Sequence, residues 1–299
     1  LLLYHLYKNI QEGELMKLYK KTIHLMFLIT VFSVTVLVGS TIAGTYTITN
    51  LTNTTGNYPA QQPQINENGD IAWIQRNPDT GLNDAYLKDG AGVTNLSNNT
   101  PYQWVSSVRI NDNGQVAWAQ SNGVYLYDGT DTTKLSSAFN RYLQINSNGH
   151  VVWDQYSGGA YNIWLYDGTD VTNLTNLPSG RIAQYPQIND NGHVVWSSNK
   201  EHPNSFNIYL FDGIATTKLG MGGKPQINNN GDVVWHNIKI ANFPFTDVYL
   251  YNGIVITNLT NTREKLDPSI QDKIKAQDPQ INDSGHVVWS EEYGFYSAG

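Results

Sequence analysis

Histidine and carboxylate side chains that could act in acid–base chemistry lie in the polar segments of this 299-residue chain. Glycoside hydrolysis needs two carboxylates that flank the scissile bond. The candidates are His202, His236, Asp79, Asp154, Glu201, Asp247, Glu291 and Glu292. None of them belongs to a G-x-S-x-G or H-E-x-x-H motif. Because these motifs are missing, we expect no catalytic residue, no enzyme activity and no cofactor. A polysaccharide lyase or glycosidase of propeller type is the alternative interpretation.

Aromatic and basic side chains in the same segments suit recognition better than catalysis. Tyrosine, tryptophan and arginine supply much of the energy at binding interfaces. The candidate binding residues are Arg76, Tyr102, Trp104, Arg109, Arg141, Tyr142, Tyr156, Tyr161, Arg181, Tyr185, His202 and His236. The sequence therefore predicts a binding module for a glycan or for an envelope or extracellular protein.

Metal binding is another possible function of these polar segments. Measured from Gln280, the polar spacing up to Glu291 approaches that of a calcium-binding EF-hand loop. However, the first position is Gln or Arg in every such segment, and neutral amides alone bind calcium weakly. Histidines follow some turn glycines but belong to separate segments, and the chain has no cysteine. We expect no bound metal and no disulfide.

These candidates are positioned by an eleven-residue segment that the chain repeats six times. "PQINDNGHVVW" begins at Pro186, and the other copies begin at Pro63, Val108, Leu143, Pro225 and Pro279. The turn glycines of the six copies are separated by 45, 35, 43, 39 and 54 residues. A period near 40 residues is typical of β-propeller blades.

One unit contains four short strands joined by turns. In the unit from Pro186, the predicted strands are "PQI", "HVVW", "NIYLF" and "ATTKL", and "NDNG" and "DG" are tight turns. The segment "SSNKEHPNSF" between the second and third strands is predicted to be a polar loop. Four such strands form one propeller blade.

The last unit ends without a fourth strand, and the N-terminal region contains a candidate for it. "YTITNLTNT" from Tyr46 matches the fourth strand "IVITNLTNT" from Ile254. This strand would complete the last blade and close the ring, which removes an open sheet edge. We therefore predict an all-β protein, a six-bladed β-propeller of four-stranded blades over residues 44–299. A piece of a longer array is the alternative.

Residues repeated in every unit are expected to be structural. The six repeat tryptophans are Trp73, Trp118, Trp153, Trp196, Trp235 and Trp289, and each is expected to fill the space between blades rather than to stack on a sugar. A second set, Gln64, Arg109, Gln144, Gln187, Gln226 and Gln280, is expected to line the central channel.

Function is expected where the units differ. The loops after the second and fourth strands share one face of a propeller, and these loops vary in length. We name it the variable face and predict that it holds the binding residues.

The units resemble the propeller repeats of the TolB-like (WD40-like, PD40) family. That family's P-x-W-S-P-D-G turn corresponds to "PQINDNG", its IYxxD strand to "IYLFDG" from Ile208, and its LT ending to "NLT". The stretch from the turn glycine to the aromatic residue is one residue shorter here, which is more similar to HAF-type extracellular repeats. The resemblance implies the propeller fold, and an envelope scaffold of the TolB type is a further alternative.

The N-terminal region is similar to a secretory signal. Basic residues up to Lys21 precede an apolar stretch over residues 25–38, and small residues precede Gly44. We predict a signal peptide over residues 16–43. Residues 1–15 are predicted to be a wrongly assigned leader upstream of a start at Met16.

The composition is that of an acidic exported protein. Removing residues 1–43 takes away four lysines and two glutamates, which changes the net charge from −7 to −9. Without a basic stripe, nucleic acid is not an expected partner. We expect an extracytoplasmic monomer, at the cell surface, periplasmic or secreted, with no membrane span after signal cleavage.

Overall fold

The computed structural model describes residues 48–52, 59–98, 103–237, 246–261 and 274–293, and every regular element in these ranges is a β-strand. The all-β prediction is confirmed. The chain divides into two compact units, Leu1–Asn53 and Thr54–Gly299. A search of the described ranges for an apolar helix of membrane-spanning length finds none. The predicted leader and signal peptide lie outside the described residues.

The strands form six antiparallel sheets, which we number as blades 1 to 6, and each sheet keeps its strands in chain order. Blades 1 to 3 comprise β1 (Ala60–Ile65), β2 (Ile71–Arg76), β3 (Asn83–Asp89), β4 (Gly92–Asn95), β5 (Val105–Ile110), β6 (Val116–Gln120), β7 (Gly123–Tyr127), β8 (Thr132–Lys134), β9 (Asn140–Ile145), β10 (Val151–Ser157), β11 (Ala160–Tyr166) and β12 (Val171–Asn173). Blades 4 to 6 comprise β13 (Ala183–Ile188), β14 (Val194–His202), β15 (Ser205–Phe211), β16 (Thr216–Met221), β17 (Gly223–Ile227), β18 (Val233–His236), β19 (Val248–Tyr251), β20 (Ile256–Asn258), β21 (Ile274–Ile281) and β22 (Val287–Tyr293).

The polar loop predicted after "HVVW" in blade 4 is wrong. β14 continues to His202 and pairs with β15, so only Pro203 and Asn204 remain as the turn. The first half of this extension is buried, up to Asn199, and the second half, from Lys200 to His202, is exposed. Asn199 Oδ1 accepts the Ile182 N–H at 2.7 Å, so a polar side chain is accommodated inside the protein by a hydrogen bond.

Neighbouring blades pack through apolar side chains that alternate along their second strands. In β6, Val116 and Trp118 pack against Ala72 of blade 1, whereas Ala117 and Ala119 pack against blade 3. All five side chains are buried. Each interior blade therefore buries both of its faces, and we call the contact between two neighbouring blades a joint.

An asparagine ladder joins the turns of successive blades. The fourth residue of each repeat donates its side-chain N–H to the backbone carbonyl of its counterpart in the next blade, at 2.9–3.1 Å: Asn66 to Asn111, Asn111 to Asn146, Asn146 to Asn189, Asn189 to Asn228, and Asn228 to Asn282. A second row at 2.6–2.7 Å runs from Asn68 to Asp112, Asn113 to Ser147, Asn148 to Asp190, Asn191 to Asn229, and Asn230 to Asp283. The repeated turns thus hold the blades together.

The first and last blades each leave one face exposed. Val288 of β22 is 64% exposed, whereas its counterparts Val152, Val195 and Val234 are 0% exposed. At the other end of the array, Ile65 of β1 is 70% exposed. These are the two faces that a sixth joint would cover.

The segment predicted to complete the last blade is described over Ile48–Thr52, where it contains no strand. The predicted third strand of that blade lies in residues 294–299, outside the described residues. Completion of the sixth blade and closure of the ring stay predictions.

Candidate functional site

The inner strands of four blades contain a β-bulge next to the repeat proline. The residue before that proline has a positive φ: +49° at Gln62, +56° at Tyr185, +48° at Lys224 and +50° at Asp278. The strand register shifts at the same places. Proline lacks an N–H for a neighbouring strand, so a bulge is favoured there, although the left-handed backbone costs on the order of 1 kcal/mol. The four blades therefore share a strained backbone at this position, but each has a different side chain there.

The bulged side chains lie near the start of each inner strand, at its variable-face end. Their contacts run from one inner strand to the next: Gln62 Nε2 donates to the Ser106 carbonyl at 3.0 Å, the Tyr142 and Tyr185 rings lie 4.6 Å apart, and Lys224 Nζ pairs with Asp278 Oδ1 at 2.7 Å. These three pairs of neighbouring blades thus present different chemistries at this end of the inner strands.

Blade 3 lacks the repeat proline, and a buried carboxylate stabilises its bulge. Asp154 of β10 accepts the backbone N–H groups of Arg141 and Tyr142, each at 2.9 Å. It also accepts Arg141 Nε at 2.8 Å and pairs with Nη2 at 2.6 Å. Burial raises the pKa of Asp154, while the Arg141 charge and the two N–H groups act in the opposite direction. The arginine is therefore held in place before any ligand arrives.

Two tyrosine rings pack against this arginine, and each of them contacts a further tyrosine. The Arg141 guanidinium lies 3.7 Å from the Tyr161 ring centre and 5.5 Å from that of Tyr142. The Tyr156 and Tyr161 rings are 5.1 Å apart and tilted by 56°. Burial, followed by a hydrogen bond with Tyr185, raises the pKa of Tyr142 to about 12, so its phenol stays neutral. We name Arg141, Tyr142, Tyr156, Tyr161 and Tyr185 the tyrosine cluster.

Four exposed aromatic side chains lie on the variable face of blades 2 and 3, and two of them belong to the tyrosine cluster. Trp104 is 49% exposed, Phe139 47%, Tyr142 38% and Tyr156 50%. The Tyr156 N–H donates to the Phe139 carbonyl at 3.0 Å, which fixes these two residues side by side. We name these four residues the aromatic surface.

Sequence reasoning missed Phe139. It stands four residues before Leu143, the position that Trp104 has relative to Val108 in the preceding unit. Extending the alignment of the units to the residues that precede each repeat would have identified Phe139.

The structure thus brings together five of the predicted binding residues and places Trp104 on the same face. The other arginines have partners elsewhere. Arg76 Nε donates to the Gly81 carbonyl at 2.8 Å in blade 1. Arg181 Nη1 lies 3.5 Å from the Asn199 carbonyl, and the Arg181 carbonyl accepts the Tyr161 N–H.

The two candidate histidines lie on different blades. His202 is in the β14–β15 hairpin, where its Nδ1 accepts the Asn204 N–H at 3.4 Å. His236 ends β18, and burial lowers its pKa. Glu201, a carboxylate near His202, pairs with Lys218. Tyr102 lies outside the described residues.

The repeated residues lie in joints and along the inner strands. Five repeat tryptophans are buried, and Trp289 of the last blade is exposed. The Arg109 guanidinium donates to the Val108 carbonyl at 2.8 Å and to Gln144 Oε1 at 3.2 Å, along the inner strands. Within the described ranges, no three His, Asp or Glu side chains are grouped to hold a metal.

No family model matches the chain, and no curated protein matches it. Solved structures do match. The β-propeller domain of the Trilobed protease from Pyrococcus furiosus, described as having an open velcro topology, is 12% identical, with 79% of this chain and 78% of that chain covered and a TM-score of 0.51. Porphyromonas gingivalis dipeptidyl peptidase 4 is 13% identical, with 74% and 40% covered and a TM-score of 0.52.

A TolB structure from Acinetobacter baumannii is also similar, at 16% identity, with 75% and 64% covered and a TM-score of 0.42. The chain spans less than half of the dipeptidyl peptidase. Identities this low show the fold alone. The β-propeller prediction is confirmed, while the similarity to HAF-type repeats stays a prediction.

Proposed function

We propose that this chain is an exported, non-enzymatic binding module whose aromatic surface binds a neutral glycan. The observation that carries the proposal is the position of the exposed aromatic rings. Four of them lie on the variable face of blades 2 and 3, and two of these, Tyr142 and Tyr156, also belong to the tyrosine cluster. Among the described residues, Trp289 is the one other large aromatic side chain with comparable exposure.

The charges near the aromatic surface favour an uncharged ligand. Arg141 is the cation nearest to the tyrosines, and Asp154 already neutralises it. The Tyr142 phenol is neutral because its pKa is about 12. A sugar ring presents weakly positive C–H groups, which pack on the negative face of an aromatic ring. Neutral sugars therefore suit this surface better than anions or cations.

Two of the four side chains of the aromatic surface are held by neighbouring residues without a ligand. Asp154 fixes the backbone of Arg141 and Tyr142, and Tyr142 and Tyr156 pack on rings from neighbouring strands. A preorganised surface loses less entropy on binding than a mobile loop. This supports a dedicated binding site rather than incidental surface exposure.

An enzyme is less well supported. Asp154, the candidate carboxylate nearest the tyrosines, is fully buried and engaged by Arg141. Glu201 of β14 is engaged by Lys218 of β16, across β15 of the same blade. A glycosidase would need one carboxyl free to donate a proton to the substrate.

The test is binding to polysaccharides by the full chain, produced in a secreting bacterial host. Cellulose, chitin, starch and their soluble oligosaccharides serve as probes, with pull-down and calorimetry as readouts. Trp104→Ala and Tyr156→Ala should each weaken binding by about 3- to 10-fold, because each removes one stacking ring. Ile214→Ala, on the opposite face and almost fully exposed, is the matched control.

Retention of a glycan that only the two aromatic variants lose supports the proposal. No retention by any probe, or retention unaffected by both variants, contradicts it. Specific capture of an envelope protein in place of a glycan would favour the scaffold alternative. Cleavage of a polymer would favour the enzyme alternative.

A further inference from the structure

A pocket of about 280 Å³ lies in the joint between blades 4 and 5, near their outer strands. Its lining residues are Leu219, Gly220, Met221, Trp235, Asn237, Tyr249 and Ile256. None of them belongs to the tyrosine cluster or to the aromatic surface. The pocket is therefore separate from the candidate glycan site.

At this joint the residue that lies two positions after the tryptophan is shorter than its counterparts in blades 2 and 3. In blades 2 and 3 the indole N–H donates to a glutamine two residues later, Gln120 or Gln155. Blade 5 has the shorter Asn237, whose Oδ1 instead accepts the Asp247 N–H at 2.6 Å. Open space thus remains beside the indole of Trp235.

The glycines of β16 and the following link keep this space open. The Trp235 indole donates to the Met221 carbonyl at 3.1 Å, which draws the chain onto the ring. A Cβ on Gly222 would lie 2.2 Å from Trp235 Cδ1, so only glycine fits there. Gly220 has no side chain to fill the pocket, although a Cβ at that position would lie at an ordinary 3.7 Å from Cζ2.

The lining defines the chemistry of a ligand. Trp235 and Tyr249 form a stacked pair, with centres 5.8 Å apart and planes within 17°. Met221 and Ile256 form an exposed rim, and methionine sulfur packs well against aromatic rings. Asn237 is the single amide in the lining, and no lining residue is charged. Pockets of this kind bind apolar groups and use a few polar groups for orientation.

We propose that this pocket binds the aromatic ring of an uncharged ligand. The volume of about 280 Å³ lies just below the roughly 300–1,000 Å³ that small-molecule sites occupy. It therefore accepts one ring system rather than a polymer chain. The ring belongs to a free small molecule or to a peptide side chain, and the probes below separate these two sources.

The test measures binding of indole, of 4-methylphenol and of a Gly-Phe-Gly peptide with blocked ends to the full chain, by calorimetry and ligand-observed NMR. Gly220→Leu fills the pocket without a backbone clash and should weaken binding by about tenfold or more. Gly90→Leu, in a surface turn with open space around it, should leave binding within about twofold of wild type. Ile256→Lys, which adds a charge at the exposed rim, should also weaken binding.

Binding by wild type and Gly90→Leu that both pocket variants lose supports the proposal, and the better probe identifies the source. Binding that neither pocket variant weakens overturns it, as does the absence of binding by every probe. If Gly220→Leu unfolds, Ile256→Lys decides alone. The glycan test concerns other blades, so either proposal can fail without the other.

Discussion

Asp154 is a buried carboxylate with an unusually large number of donors. Two backbone N–H groups and the Arg141 guanidinium share it. The bulge of β9 brings these donors to one place, and the carboxylate follows Trp153 in the neighbouring strand. A single residue therefore holds both the backbone of the β9 bulge and the orientation of the Arg141 side chain.

Asp154→Ala should lower the free energy of unfolding by about 2–3 kcal/mol, because it leaves two N–H groups and one guanidinium without their acceptor. The exposed part of the Arg141 side chain keeps this cost below that of a fully buried pair. Urea unfolding measures the change, and Glu67→Gln on the surface is the control. Equal stability of both variants would show that Asp154 does not hold the bulge.

The Asp-Gly turns between the third and fourth strands contribute to stability in a way that depends on pH. The pKa values of Asp128, Asp167 and Asp212 are lowered from 3.8, chiefly by the backbone N–H groups that each accepts two and three residues later. The folded chain thus holds these protons less tightly than the unfolded chain. Their stabilising contribution is present above pH 3.8 and is lost as the pH falls through the lowered folded values.

The triple variant Asp128→Asn, Asp167→Asn and Asp212→Asn should lose less stability than wild type between about pH 5 and pH 3. Asparagine already fills this position in blade 5, where Asn252 Oδ1 accepts the same two N–H groups. Urea midpoints at the two pH values measure the difference. A parallel decline in both proteins would assign the acid sensitivity to other carboxylates.

Strands and turns of the units could be predicted from sequence because their alternation and turn residues are local signals. The polar half of β14 could not be predicted, since Ser197 and Ser198 are residue types typical of a loop. They are buried only because of the packing of the folded chain. The positive φ at Tyr185 is also not a local signal: residues before proline usually adopt extended conformations with negative φ.

The residues of the candidate site, apart from Phe139, could be predicted in the same way, but their arrangement could not. Aromatic residues on variable loops, such as Trp104 and Tyr156, were identifiable from their types and places in the unit. Capture of Arg141 by Asp154 was not, because it depends on the register between β9 and β10. That register shifts at a bulge for which blade 3 lacks the proline signal.

At the scale of the whole molecule, the asparagine ladder links each blade to its neighbours. Asn189 is buried, donates to blade 5 and accepts the His193 N–H at 2.9 Å within its own turn. Asn282 in the last blade accepts the equivalent N–H but is exposed. The two residues differ mainly in whether a following blade is present.

Asn189→Ala should therefore lower the free energy of unfolding by about 1–3 kcal/mol, and Asn282→Ala by less. The difference is the contribution of the contact across a joint. Denaturant unfolding of the two variants measures it. Equal losses would indicate that Asn282 also reaches a carbonyl across a sixth joint, as the predicted closure of the ring requires.

The ladder also affects how the chain opens and closes. Every described joint connects units that are neighbours in sequence, so each blade is stabilised mainly by the blades immediately before and after it. Without a sixth joint, such an array would fray from its ends, where Ile65 is 70% exposed and Val288 is 64% exposed. Blades 3 and 4, which carry the tyrosine cluster, stand in the middle of the array. Their amides would exchange with solvent last, so the candidate site stays intact through partial unfolding of the terminal blades.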